Sequence, residues 1–123
     1  MTQRILVVED QEDNRRIIRD LLTNVGYELI EATDGEAGVR LAESERPDLI
    51  LMDIQLPVLD GHEATRRIKQ NAALRAIPIV VVTSYALSGD DAKAMAAGAD
   101  GYVAKPFSPR QLHATIRKFL PEA

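Results

Sequence analysis

The chain has no cysteine and no tryptophan among its 123 residues. Without cysteine there can be no disulfide framework, no zinc–thiolate centre and no thiol nucleophile. Without tryptophan, no indole can report a conformational change by fluorescence. An excess of positive charge is also missing. The formal net charge is −4, the opposite of the basic footprint of a nucleic-acid binder. No apolar run approaches the length of a transmembrane helix, and the N-terminus has no signal-peptide core. The expected partners therefore include neither nucleic acid nor a membrane, and the expected compartment is the cytoplasm. His62 and His113 stand far apart without metal-ligand spacing and are expected as ordinary helix-surface residues. No linker, low-complexity segment or repeat divides the chain, and no Walker-type phosphate loop occurs.

What is present is 46% hydrophobic and 28% charged, the balance of a globular protein. The length suits one domain over residues 1–123 with a substantial core. The organising stretch is Asp48-Leu49-Ile50-Leu51-Met52-Asp53-Ile54-Gln55-Leu56-Pro57. Four large apolar residues without polar alternation, running into an acid, predict a strand buried on both faces. Taken alone, an aspartate at a strand end is a common turn residue. The rest of the chain changes that reading.

Arg4 to Val8 is a second unbroken apolar run, ending in Glu9-Asp10. A helix is expected from about Asp13 or Asn14, either of which could cap it. Ile17, Ile18, Leu21, Leu22 and Val25 recur at helical spacing, and Gly26 supplies the stop. Tyr27 to Ala32 alternates, as a strand nearer a sheet edge does. Thr33-Asp34-Gly35 forms a turn and cap, after which Ala37, Leu41 and Ala42 give a helical face closed before Pro47. Leu49 to Asp53 follows as the central strand. Val58 to Gly61 is loop, and a helix spans about His62 to Gln70 with Ala64 and Ile68 inward. Ile79 to Val82 is a fourth strand ending at Thr83. A helix from about Asp90 carries Ala94, Met95 and Ala97 and stops at Gly98. Gly101 to Ala104 is a fifth strand ending at Lys105-Pro106. The last helix opens with Ser108-Pro109-Arg110-Gln111, a capping box with proline in the first helical position, and buries Leu112, Ile116, Phe119 and Leu120.

Strands alternating with helices across short loops imply right-handed βαβ units and a doubly wound parallel sheet covered on both faces. Ligands bind such sheets beyond the carboxyl ends of the strands, at a topological switch point. The residues at those ends are Glu9, Asp10, Asp53, Thr83 and Lys105. Three crowded carboxylates repel one another. A hard divalent cation resolves that conflict, and magnesium suits an all-oxygen donor set that retains water. The acids do not follow an EF-hand calcium loop. A carboxylate can act as a nucleophile toward phosphorus, and such transfer needs mainly positioning and neutralised charge. Asp53 could attack, Mg²⁺ could bridge, and Lys105 and Thr83 could hold the equatorial oxygens.

With VVEDQEDN, LILMDIQLPVLDG, VVVTSYA and GYVAKPF in these positions, the chain resembles the receiver domains of two-component response regulators over essentially its whole length. That resemblance implies a (βα)5 flavodoxin-like domain with a parallel five-stranded sheet in the order 2-1-3-4-5. It implies that Asp53 is the phosphoacceptor and that Mg²⁺ is held by Asp10, Asp53 and the Gln55 backbone carbonyl, with Glu9 acting through water. It assigns phosphoryl binding to Thr83 and Lys105, switching to Tyr102, and a cis peptide bond to Pro106. It places Gln55 and Tyr85 beside the path of a hydrolytic water. The implied partners are a histidine kinase or histidine phosphotransferase and an unidentified downstream protein. The implied output face runs over the fourth helix, fifth strand and last helix. TSYALSGDD is similar to stand-alone and hybrid-kinase receivers. Gly101 and Thr115 replace the acid and arginine that pair across the dimer of DNA-binding regulators, which favours a monomer. With the sequence ending at Ala123, a receiver without an output domain is expected. A switch that does not turn over a separate substrate is expected; the alternative is a receiver-like interaction module that is never phosphorylated.

Overall fold

The computed structural model describes residues 2–83 and 90–120, with the side chains of Asp90 and Asp91 left aside. The elements run β1 (Arg4–Val8), α1 (Glu12–Thr23), β2 (Glu28–Ala32), α2 (Gly35–Glu45), β3 (Leu49–Asp53), α3 (Gly61–Gln70), β4 (Ile79–Thr83), α4 (Asp90–Ala97), β5 (Gly101–Ala104) and α5 (Pro109–Phe119). All neighbouring strands pair in parallel. Their order is β2-β1-β3-β4-β5, the doubly wound, flavodoxin-like arrangement expected from the sequence.

The unbroken apolar runs are explained by the two layers they feed. Successive strand side chains point to opposite faces. Ile5, Val7, Leu49, Leu51, Val80 and Val82 pack with Ile18 and Leu22 of α1 and Leu112 and Ile116 of α5. Leu6, Val8, Ile50, Met52, Ile79 and Val81 pack with α2, α3 and α4 through Ala42, Ala64, Ile68 and Ala94. Strands β1, β3 and β4 are interior and need apolar residues on both sides. Strand β2 is an edge, and its alternating sequence is half-buried over most of its length.

Several local expectations change. Helix α1 begins at Glu12, and its N-cap is Gln11, which makes no side-chain capping bond. The carboxylate of Glu9 takes the Gln11 N–H instead, at 3.1 Å, while Glu12 and Asp13 favour the positive end of the helix dipole. Ile17 and Val25 follow the helical spacing, yet they are 54% and 47% exposed; only Ile18 and Leu22 of that set are buried in the core. Met95 likewise faces outward while Ala94 and Ala97 are buried. Neither histidine is an open surface residue. His62 is half-buried in the first turn of α3 with both ring nitrogens shielded from solvent, and His113 Nε2 lies 3.4 Å from the Leu21 carbonyl oxygen. The Asp34 cap of α2 and the capping box of α5 form as the sequence predicts.

Candidate functional site

Helices α1 and α3 leave β1 and β3 on opposite faces of the sheet, and that divergence opens a crevice beyond the adjoining strand ends. A cavity of about 290 Å³ lies there, lined by Asp10, Gln11, Asn14, Asp53, Ile54, Gln55, Thr83 and Lys105.

Strand alternation sends Glu9, Asp53 and Lys105 the same way as Val7, Leu51 and Val103, and the three meet. Lys105 Nζ donates to Glu9 Oε1 at 3.0 Å and to Asp53 Oδ2 at 3.1 Å. Glu9 is only 2% exposed and Asp53 8%. Burial alone would lower the Lys105 pKa. The hydrogen bond to Glu9 and the charges of both carboxylates outweigh that burial and hold the ammonium above its ordinary value. The other Asp53 oxygen, Oδ1, accepts the Gln55 N–H at 3.3 Å. Thr83 is buried at the end of β4, and its carbonyl accepts the Lys105 N–H at 2.7 Å. The Lys105–Pro106 peptide bond is cis.

Asp10 completes the acidic group: one oxygen from each of Glu9, Asp10 and Asp53 lies within 4.8 Å of the others. Three carboxylates against one lysine leave the crevice negative. An all-oxygen donor set of this kind fits a hard divalent cation.

The loop after β3 is held by two glycines whose role is absent from the sequence reading. A Cβ at Gly61 would lie 2.0 Å from the Asp53 carbonyl oxygen, and one at Gly35 would lie 1.9 Å from that of Leu59. The first residues of α3 and α2 therefore touch bare backbone on either side of the loop. Between them, Leu59 N–H reaches back to the Pro57 carbonyl at 2.7 Å, with Val58 at φ 70° in the left-handed region, uncommon for a β-branched residue. The readable signal is the repeated Asp-Gly at both helix starts, where Asp34 and Asp60 are the caps.

Tyr102 is not in the crevice. It is 44% exposed and lines two other cavities, of about 340 and 320 Å³, with residues of α5. Tyr85 lies outside the described residues. Among the described residues no helix is long and apolar enough to cross a membrane.

The chain is thus a doubly wound α/β domain with an acidic, lysine-bridged crevice at its switch point, a donor set that fits a hard divalent cation. The sequence model of the response regulator receiver domain matches residues 5–117, and the chain belongs to that family. It is 41% identical over 123 residues to the polar-differentiation response regulator DivK of Brucella ovis, covering all of both chains. Its structure is similar to that of the receiver domain of a sensor histidine kinase from Pseudomonas aeruginosa, which has a magnesium ion in its active-site cleft. The TM-score is 0.93 and the identity 40%, covering 99% of this chain and 100% of that one. It is also similar to the chemotaxis protein CheY4 of Vibrio cholerae, with TM-score 0.90 and 28% identity over 97% of this chain and 99% of that one. Receiver domains are switches of two-component signalling that interact with histidine kinases or phosphotransferases and with downstream targets.

Proposed function

We propose that residues 1–123 form one receiver unit that is switched by phosphorylation of Asp53. The observation that carries this reading is Lys105 Nζ placed between the Glu9 and Asp53 carboxylates at 3.0 and 3.1 Å. One ammonium thereby joins the acceptor carboxylate to the end of β5. An oxygen of Asp53 attacks phosphorus, the bond from phosphorus to the donor nitrogen breaks, and the donor imidazole leaves with its electron pair. Asp10, Asp53 and the Gln55 carbonyl would hold Mg²⁺, with Glu9 contributing through water. The bound ion would supply positive charge against the phosphoryl oxygens. Lys105 then exchanges a carboxylate partner for a phosphoryl oxygen, and the Thr83 hydroxyl donates to another.

Because β4 and β5 pair at Thr83 and Ala104, movement at the crevice has a short path to Tyr102. Phosphorylation is read as a population shift of the α4-β5-α5 face that changes binding of a downstream protein. The donor is a histidine kinase or histidine phosphotransferase, in the cytoplasm, and the chain acts as a monomer without turning over a separate substrate.

The test is labelling with acetyl phosphate. Mass spectrometry should show one added phosphoryl group in Mg²⁺ and none in Asp53→Asn. Unchanged labelling of that variant would end the assignment, and a wild type that never labels would favour an unphosphorylated interaction module. Gln55 and Tyr85 are read as tuning hydrolysis. Tyr85→Ala should lose labelled phosphate several-fold faster than wild type, or about 1 kcal/mol of barrier; an equal or slower loss would reject shielding by that ring.

A further inference from the structure

Arg15 is the fourth residue of α1, behind the acidic pair. Its Nη1 donates to the backbone carbonyls of Glu9 at 3.0 Å and Asp10 at 3.3 Å. Its Nε lies 3.3 Å from Glu31 Oε1 on β2, and the Arg15 side chain is 14% exposed. Glu31 is gripped in turn by two hydrogen bonds from Arg19, at 2.9 and 2.7 Å. That bonding holds the Glu31 carboxyl below its ordinary pKa against its partial burial, with the charges of Arg19 and Arg15 adding to it.

We propose that Arg15 is a positioning residue for cation binding by Glu9 and Asp10, anchored by Glu31 and Arg19. The inference rests on the reading of the crevice as a Mg²⁺ site. Magnesium tolerates little departure from octahedral geometry, so the peptides that carry its ligands must be fixed. The last bond from this segment to β2 is Glu9 N–H to the Ala32 carbonyl, at 3.0 Å. Beyond it the chain leaves the sheet, and the guanidinium of Arg15 takes over by holding the next two carbonyls. A planar guanidinium can serve these carbonyls on one side and a carboxylate on another, whereas a lysine ammonium is a single point of charge.

Charge and geometry predict opposite outcomes. If Arg15 acted only through its charge, removing it would tighten binding of a cation. If it acts by holding the peptides, removing it loosens the ligands and weakens binding.

The experiment is titration with Mg²⁺ alone, followed by NMR at the Gln11 and Gln55 amides, which donate to Glu9 and Asp53. Arg15→Lys keeps the charge and a good helix former. It should weaken Mg²⁺ binding roughly 10-fold, the usual scale for a group that orients metal ligands. Arg15→Gln should weaken it also, despite the lost positive charge, and Glu31→Gln should weaken it by a smaller factor. Acetyl phosphate labelling of Arg15→Lys should return to the wild-type rate at saturating Mg²⁺, which a general loss of folded structure would not allow. Wild-type affinity in Arg15→Lys, or tighter binding in Arg15→Gln, overturns the proposal. Asp10→Asn tests the site separately. If it loses affinity while Arg15→Lys does not, the site stands and this inference alone falls. If Asp10→Asn binds as wild type does, the cation lies elsewhere and both readings fall.

Discussion

Two lysines sit at opposite ends of the sheet, Lys69 paired with one acid and Lys105 with two, and each side chain is mostly buried, at 15% exposure for Lys69 and 19% for Lys105. Lys69 Nζ donates to the carbonyls of Arg75 and Ile77 at 3.0 and 2.8 Å and to Asp100 Oδ2 at 2.7 Å. The same Asp100 oxygen accepts the Ile79 N–H at 2.8 Å. All three ammonium donors are matched, two of them by backbone that cannot leave, so α3, the start of β4 and the approach to β5 are stapled together. Among the described residues, Lys105 is partnered by two carboxylates and no backbone carbonyl. Its partners are themselves ionisable and outnumber it. An ion pair completed by backbone is structural. One completed by further charged side chains can exchange partners when a cation or a phosphoryl group arrives.

The largest test of this contrast is on stability. Lys69→Met would leave the Arg75 and Ile77 carbonyls unpartnered and should cost about 3 kcal/mol in urea denaturation, while the folded fraction still labels at Asp53. Lys105→Met should fold, at a cost of about 2 kcal/mol without metal, and lose phosphorylation-dependent partner binding. A Lys69→Met protein as stable as wild type would mean that Lys69 is no staple.

Added Mg²⁺ should act on the two lysine variants differently. At about ten times its dissociation constant, an ion that binds only the folded state adds about 1.4 kcal/mol. The ion should narrow the gap between Lys105→Met and wild type, because it takes over neutralisation of Glu9 and Asp53. The Lys69→Met gap should stay as wide, since no cation can replace bonds to the Arg75 and Ile77 carbonyls. Equal narrowing in both variants would mean that the two lysines do the same job.

Amide substitutions should give opposite signs. Asp53→Asn relieves repulsion among acids within 4.8 Å and should stabilise the metal-free protein by about 1 kcal/mol. Asp100→Asn removes the charge opposite Lys69 and should destabilise by about 1 kcal/mol. Thermal unfolding of both, in a chelator, decides; a destabilised Asp53→Asn would contradict the picture of an overcharged crevice.

The smallest effect is in alkali. The Lys105 ammonium is held above its ordinary value of 10.5, so its contribution to stability is fully present below pH 10.5 and is lost as pH rises through the higher folded-state value. The stability gap between wild type and Lys105→Met should therefore shrink above pH 10.5. A gap that widens there would reverse the sign of the linkage.

The parts legible from the chain alone share a physical cause. Unbroken apolar runs identify β1, β3 and β4 as strands covered on both faces, β5 is a shorter run at an edge of the sheet, and the residue that follows or closes each run lies at the carboxyl end of its strand, where the crevice opens. Glu9, Asp10, Asp53, Thr83 and Lys105 are therefore identifiable as one group from the sequence. The Asp34 cap and the Ser108 capping box were legible because they act over three residues. The start of α1 was not, because its Gln11 N–H is satisfied by Glu9 and not by a cap at Asp13 or Asn14. Ile17 and Met95 fit helical spacing but face outward, since periodicity selects a stripe wider than the part the sheet covers.

The order of elements, the sheet topology by way of family likeness, and the set of chemical groups at the strand ends were all written in the chain. How those groups are partnered depends on packing. Lys105 reaches carboxylates 96 and 52 positions away, and Lys69 meets Asp100 across 31. Gly35 and Gly61 matter only because a loop backbone presses on them, and Arg15 only because α1 brings it behind the acids. Spacing along a chain reports neighbours within an element. Which of two similar lysines is tied to backbone and which to further acids depends on what packing places within about 3 Å of each nitrogen, and no local pattern carries that.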